Sequence, residues 1–250
     1  MVARTDNVTD PAIRDALLLA RRGQARWARA LGDLRDDELD KPSLVPGWSR
    51  RHVIAHVGFN ARAIARLVEW ARTGEENPMY ASPEQRGEEI DFGATLPADA
   101  LRNLCAHASI HLNVEWRDLP EKDWSNIVRT AQGRLVPVSE TVWMRTREVW
   151  IHAIDLNTGI GTEDFPGRLV DLLLDDLLAV WRRKRSDSDR NVVLHPTDRE
   201  QSYSVLEIQG PDDLVVHGTA ADIVGWGIGR TRRGVTTPDG SAAEAAPGWL

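Results

Sequence analysis

Four long segments in the first 160 residues carry apolar side chains at the spacing of an α-helix, and no other feature constrains the fold as strongly. Asp10-Pro11 is typical of an N-cap followed by proline at the first helical position. The helices are predicted over about residues 10–32, 49–73, 98–118 and 140–157. The segment 77–93, NPMYASPEQRGEEIDFG, is interpreted as a loop. Four such helices favour a helical bundle.

The pattern changes after residues 157–167, NTGIGTEDFPG, which are interpreted as a linker. A further helix is predicted over 168–184, and a last helix is predicted to begin at Thr219. Between them lie short β-rich segments at 191–196, 202–209 and 213–218. We therefore predict an α+β chain, with a four-helix domain over residues 1–160 and a smaller α/β domain over residues 161–250.

Composition limits the classes of function. The net charge is −7 and the basic residues are dispersed, which argues against nucleic acid as a partner. No apolar run approaches the roughly 20 residues that span a bilayer, and the first residues lack a secretory signal, so we expect a cytoplasmic protein without a membrane partner. Cys105 is the only cysteine, which excludes an internal disulfide; it lies on an apolar helix face and is predicted to be a core residue.

Glu148 and His152 lie four residues apart in the helix predicted over 140–157, so both side chains share one face. Most such pairs are surface neighbours or hydrogen-bond partners, but this helix is apolar around them, and Arg145, Arg147 and Glu140 are expected to form its wet side. The face is therefore predicted to line an interior pocket. Asp155 either orients His152 or pairs locally near the helix end, and the sequence favours neither.

His56 falls on the apolar stripe of the second helix, where a lone histidine is more often a satisfied core residue than a ligand. With Glu148 and His152 it would complete the protein ligand set of a catalytic zinc, leaving one position open. The same set suits other divalent ions. Arg230 ends the last helix, and the sequence alone favours a cation at the helix terminus over a clamp for a substrate carboxylate.

Several segments resemble the mycothiol-dependent maleylpyruvate isomerases: VPGWSRRHVIAHVGFNA, MYASPEQRGEEI, TAQGRLVPVSETVWMRTREVWIHAIDL and GIGRTRRGVTT. The resemblance covers essentially the whole chain and is weakest over about 165–215. It implies a four-helix domain of the DinB type and a C-terminal α/β domain that contributes to the active-site cleft. The site residues that it implies are metal ligands at His56, Glu148 and His152, with His52 as a neighbour, and a catalytic Arg230. Trp48, Tyr80 and Arg86 belong to segments that resemble the family and either line the pocket or serve the structure, and the sequence favours neither.

The resemblance implies cis–trans isomerisation of 3-maleylpyruvate to 3-fumarylpyruvate in gentisate degradation, with mycothiol and a divalent metal, most often zinc, as cofactors. A thiolate that adds to the double bond leaves a single bond that rotates, and its elimination gives the trans alkene. The metal would activate the thiol or polarise the substrate carbonyl, and the sequence does not separate the two. The alternatives are another mycothiol-dependent S-transferase on the same scaffold and a non-catalytic metal- or thiol-binding module.

Overall fold

Seven α-helices and five short strands make up the part of the chain described by a computed structural model, residues 5–186, 189–208 and 210–249. The prediction of an α+β chain is confirmed. The chain divides into two compact units, one up to Gly159 and one from Ile160 onward. Within the described residues, no helix is both long and apolar enough to cross a membrane.

The first unit is built mainly from helices. Its helices are α1 (Pro11–Gly32), α2 (Arg50–Thr73), α3 (Pro83–Ala94), α4 (Ala98–Asp118) and α5 (Glu140–Asp155). The central α2 packs against α3, α4 and α5, and α1 packs against α4 and α5. Asp10 begins α1 as predicted, because its carboxylate accepts hydrogen bonds from the amides of Ala12 and Ile13 at 2.7 and 3.4 Å.

The interpretation of residues 77–93 as a loop is wrong, since most of α3 lies within them. Ser82 caps this helix by accepting a hydrogen bond from the amide of Gln85 at 3.2 Å. Only Ile90 and Gly93 are buried on α3, so its apolar stripe is too sparse to be read from the sequence. A Cβ atom at Gly93 would lie 2.7 Å from the Cβ of Ala55, so glycine allows α3 to approach α2 closely.

A short hairpin, which the sequence did not predict, lies between α4 and α5. Its strands are β1 (Ile127–Arg129) and β2 (Leu135–Pro137), paired antiparallel with Val128 opposite Val136. Both valines are buried, whereas the alternate positions are exposed. With one inward residue in each strand, the hairpin is too short to give a recognisable alternation in the sequence.

The second unit contains α6 (Gly167–Lys184), β3 (Val192–Pro196), β4 (Tyr203–Ser204), β5 (Leu214–Gly218) and α7 (Ala220–Gly227). The sheet order is β4-β3-β5, with β3 antiparallel to β4 and parallel to β5. Helix α6 packs against α7, and the rings of Trp181 and Trp226 meet edge to face at 5.9 Å. Of the β-rich segment predicted over 202–209, only the two residues of β4 form a strand, and Gln209 lies outside the described residues.

Candidate metal centre

Helices α2 and α5 bring His56, Glu148 and His152 together. Nε2 of His56 lies 2.8 Å from Oε2 of Glu148, and Nε2 of His152 lies 3.3 Å from the same oxygen. One donor atom from each residue falls within 4.8 Å of the others, so the group could hold a metal ion. The two imidazole rings meet edge to face, with their centroids 4.7 Å apart.

The three side chains differ in how far they reach toward solvent. His56 is only 3% exposed, because it occupies the inward face of α2 between Val53 and Val57, which are fully buried. The side chains of His152 and Glu148 are 15% and 25% exposed. The group is therefore mostly buried, and the carboxylate is its most exposed member.

Asp155 orients the ring of His152. Its Oδ2 lies 2.8 Å from Nδ1 of His152, and the whole residue is inaccessible to solvent. Since a carboxylate accepts, Nδ1 carries the proton, and a neutral His152 keeps its lone pair on Nε2. That lone pair faces the oxygen of Glu148, an arrangement that calls for a cation between them. Two imidazoles and a carboxylate converging in this way fit a divalent ion by donor chemistry.

The pKa values of Glu148, His56 and His152 follow from their burial and their mutual contacts. Burial raises the pKa of Glu148 by itself, but the two imidazoles outweigh burial and hold that pKa well below the usual range. Burial lowers the pKa of His56. Burial also acts to lower the pKa of His152, but the hydrogen bonds to Asp155 and Glu148 prevail and raise it to about 9. These contacts therefore favour a positive charge between the imidazoles and the carboxylate, which is also the charge that a metal ion carries.

The aromatic pocket residues predicted from the sequence lie around the group. The ring of Trp48 is 5.5 Å from that of His56 and 6.3 Å from that of His52. His52 does not join the three: its Nδ1 is 2.7 Å from the hydroxyl of Ser49. Burial raises the pKa of Tyr80 to about 12, and Glu148 is among the charges that act on this phenol. Trp48 thus adds an apolar surface beside His56, and Tyr80 adds a neutral hydroxyl on which the charge of Glu148 acts.

Arg86 contributes a positive charge next to His56. Its Nη2 lies 3.4 Å from Nδ1 of His56, the ring nitrogen that faces away from Glu148. Arg86 lies on α3, the helix that the sequence analysis interpreted as a loop. The folding of α3 against α2 therefore positions this cation beside the three converging side chains.

The expectation that Arg145 lies on the wet side of α5 is wrong. Arg145 is 2% exposed and its guanidinium is enclosed in the helical core. The sequence carried a usable signal, because residues 145, 148 and 152 are spaced three and four apart and therefore share one helix face. A face that points Glu148 and His152 inward points Arg145 inward as well.

Arg230 belongs to the second unit, just beyond the end of α7. It is half-buried, and its Nη1 donates to the carbonyl oxygen of Ile228 at 2.9 Å. Gly229, immediately before it, has φ of +73°, a left-handed conformation that ends the helix. The turn and the carbonyl contact hold the guanidinium at the helix terminus.

Cys105 and three further histidines lie at structural positions. Cys105 is buried, its thiol lies 3.0 Å from the carbonyl oxygen of Ile54, and burial raises its pKa to about 12. His111 is exposed and pairs with Glu115 on α4. His195 and His217 stack across β3 and β5 with their centroids 4.9 Å apart.

Comparison with known proteins places the chain in a family. Residues 20–157, more than half of the chain, match the Mycothiol maleylpyruvate isomerase N-terminal domain. The crystal structure of a mycothiol-dependent maleylpyruvate isomerase is similar to the chain at 43% identity and a TM-score of 0.89, covering 95% of this chain and 97% of that one.

The crystal structure of a histidine-to-alanine mutant of a mycothiol-dependent maleylpyruvate isomerase gives 42% identity, a TM-score of 0.88 and the same coverage. None of the curated proteins matches the sequence. The matched residues include α2 and α5, the two helices that supply the converging histidines and carboxylate. The chain therefore belongs to the mycothiol-dependent maleylpyruvate isomerase family.

Proposed function

We propose that this protein isomerises 3-maleylpyruvate to 3-fumarylpyruvate, a step of gentisate degradation, with mycothiol and a divalent metal ion. The observation that carries the proposal is the convergence of His56, Glu148 and His152 in a chain that is 43% identical to a mycothiol-dependent maleylpyruvate isomerase over 95% of its length. Other mycothiol-dependent S-transfer on the same scaffold is the rival activity.

In this proposal His56, Glu148 and His152 hold the metal through two imidazole nitrogens and a carboxylate oxygen. Zinc is the ion that this set suits best, and three protein ligands leave a coordination position open. When bound, the ion supplies Lewis acidity that deprotonates a thiol or polarises a carbonyl. Asp155 keeps the proton of His152 on Nδ1, so that Nε2 remains a ligand.

The hydrogen-bond partner of Arg86 depends on whether His56 binds a metal ion. If His56 binds an ion through Nε2, its Nδ1 carries the ring proton and can no longer accept a hydrogen bond from Arg86. The guanidinium then needs another acceptor, and a carboxylate of the dianionic substrate fits its planar donors. The pocket role expected for Arg86 is thus substrate binding.

Arg230 is proposed to hold a substrate carboxylate or to stabilise the negative charge that forms on the substrate oxygen during isomerisation. A guanidinium suits both tasks, because it stays charged and donates in two parallel directions. Its support is the resemblance of GIGRTRRG to a motif of the family, together with an anchored position after α7.

The nucleophile is proposed to come from outside the chain. Mycothiol supplies the thiolate that adds to the double bond and leaves again after rotation about the resulting single bond. Cys105 is unsuited to this task, because its thiol is buried and stays protonated at neutral pH. A free thiol cofactor needs a reducing compartment, which supports the expected location in the cytoplasm.

The deciding experiment is turnover of 3-maleylpyruvate by the purified protein, with and without mycothiol, after metal removal and after zinc restoration. We expect activity only with mycothiol and metal together. Turnover of other electrophiles by mycothiol addition, with maleylpyruvate inert, would identify an S-transferase instead. Binding of metal and mycothiol without any turnover would point to a non-catalytic module.

A further inference from the structure

The guanidinium of Arg145 ties four helices together inside the first unit. Nη1 donates to the carbonyl oxygen of Val57 at 2.8 Å and to Oδ1 of Asn60 at 3.1 Å, both on α2. Nη2 donates to Oε1 of Gln24 on α1 at 3.0 Å and to the hydroxyl of Ser109 on α4 at 3.3 Å. Since Arg145 itself belongs to α5, its fork joins α5 to the three other long helices.

These hydrogen-bond partners are all neutral, so the burial of the arginine charge in the core is energetically unfavourable. Within the described residues Arg145 forms no ion pair, and the negative charge of Glu148, one turn along α5, acts on it only from a distance. Burial lowers the pKa of Arg145 only to about 10, so the side chain remains charged at neutral pH. A buried cation without an ion-pair partner is less favourable than an apolar side chain of similar volume. Its retention therefore needs a reason other than stability.

The position of the Arg145 hydrogen bonds along α2 and α5 indicates why the arginine is retained. Val57 directly follows His56, and Asn60 lies one turn beyond His56 on α2. On α5, Glu148 and His152 lie one and two turns beyond Arg145. The hydrogen bonds thus join the two ligand-bearing helices next to the ligands themselves. Because hydrogen bonds are directional, bonds from one guanidinium to three other helices oppose a shift of α5 along α2.

We propose that Arg145 is a positioning residue of the metal centre, which fixes α5 against α2 so that Glu148 and His152 meet His56. It contacts neither the ion nor the substrate. The inference rests on the metal site proposed above, and it adds a residue from the core to that site.

The test is a titration of the metal-free protein with Co²⁺, followed by visible absorption, in the wild type and in Arg145→Met. Methionine fills similar space without a charge or a donor. We expect the Kd for Co²⁺ to rise by about tenfold or more, the range found when groups that orient metal ligands are removed. We also expect weaker Co²⁺ bands, because the three ligands no longer hold one geometry.

Arg102→Met is the matched control for a general loss of stability. Arg102 donates from α4 to the carbonyl oxygens of Leu31 and Leu34, each at 2.6 Å, and contacts none of the three proposed ligands. We expect this variant to melt at a lower temperature while its Co²⁺ affinity stays within about twofold of wild type, as for changes at independent sites. Equal losses of affinity in both arginine variants would overturn the positioning role.

Asn60→Leu provides a second route if Arg145→Met does not fold, because it removes one acceptor of the fork and keeps the volume. We expect a smaller rise in the Kd for Co²⁺, in the same direction. Wild-type affinity in Arg145→Met, or in Asn60→Leu where that variant is the one measured, would refute the proposal. Failure of the wild type to take up Co²⁺ would refute the metal site itself. That result is distinct from a wild type that binds Co²⁺ and an Arg145→Met variant that binds it equally well, which refutes only the positioning role of Arg145.

Discussion

Oδ2 of Asp155 lies 2.8 Å from Nδ1 of His152, and Asp155 is wholly buried three residues further along α5. This contact sets which nitrogen of the ring is available to a cation. A buried carboxylate that only accepts leaves His152 one choice of tautomer. The relationship makes Asp155 a sensitive point of the proposed metal centre, although it reaches neither solvent nor the converging nitrogen atoms.

Replacing Asp155 with Asn is predicted to weaken zinc binding by about 10- to 100-fold, because the amide holds the tautomer and the ring less firmly. The measurement is competition for zinc against a chromophoric chelator. Asp164→Asn, a change in the second unit, is the matched control and should leave zinc affinity unchanged. An unaltered affinity in Asp155→Asn would assign Asp155 a purely local role at the helix end.

His56→Ala is predicted to lose metal on gel filtration against a chelator, because a carboxylate and one imidazole form a much weaker site than three ligands. The metal content is measured by elemental analysis of the eluted protein. His111→Ala is the control, since His111 is exposed on α4 and pairs only with Glu115. Full metal content and full activity in His56→Ala would rule out the ligand assignment.

Arg230→Ala is predicted to keep the fold and the metal and to lose turnover by about 100-fold or more, the scale seen when a group that stabilises developing charge is removed. Arg230→Lys should recover part of the rate, because it restores the charge without the two parallel donors. Steady-state kinetics with saturating mycothiol and zinc measures both variants. Wild-type turnover in Arg230→Ala would show that this arginine serves only the helix terminus.

Cys105 is predicted to react with thiol reagents only after unfolding. Burial raises its pKa to about 12, so the protonated thiol persists at pH 9, where an exposed cysteine is already largely ionised. Labelling is followed by mass spectrometry at pH 7 and pH 9, with and without denaturant. Cys105→Ala should retain mycothiol-dependent turnover, whereas its loss in a folded variant would implicate the residue in the chemistry.

The sequence predicted the elements whose signals are local. Asp10 and Thr219 begin helices as expected, because their side chains accept hydrogen bonds from the amides that each helix leaves unpaired. Helix α3 and the β1–β2 hairpin were missed because each buries only two residues. Such elements are stabilised by the surfaces they pack on, and those surfaces are distant in sequence.

The sequence predicted which side chains of the site share a helix face, but it did not predict that the two helices meet. Spacing put Glu148 and His152 on one face and His56 on the inward stripe of its own helix, and the family resemblance favoured all three as ligands. Only the packing of α2 on α5 brings the three donors within 4.8 Å. Arg145 was misassigned because an arginine is expected at the surface unless its partners are known. Those partners come from three other helices, so the periodicity of α5 alone could not name them.

The proposed ligands are separated along the chain, and this gives the metal a mechanical consequence. His56 and Glu148 are 92 residues apart, on helices that begin on opposite sides of α3, α4 and the hairpin. An ion held by both would join the two ends of this long segment in the folded chain, so that its binding free energy would add to the stability of the helical bundle. Chelation would then lower the stability of the helical bundle as well as remove the Lewis acid.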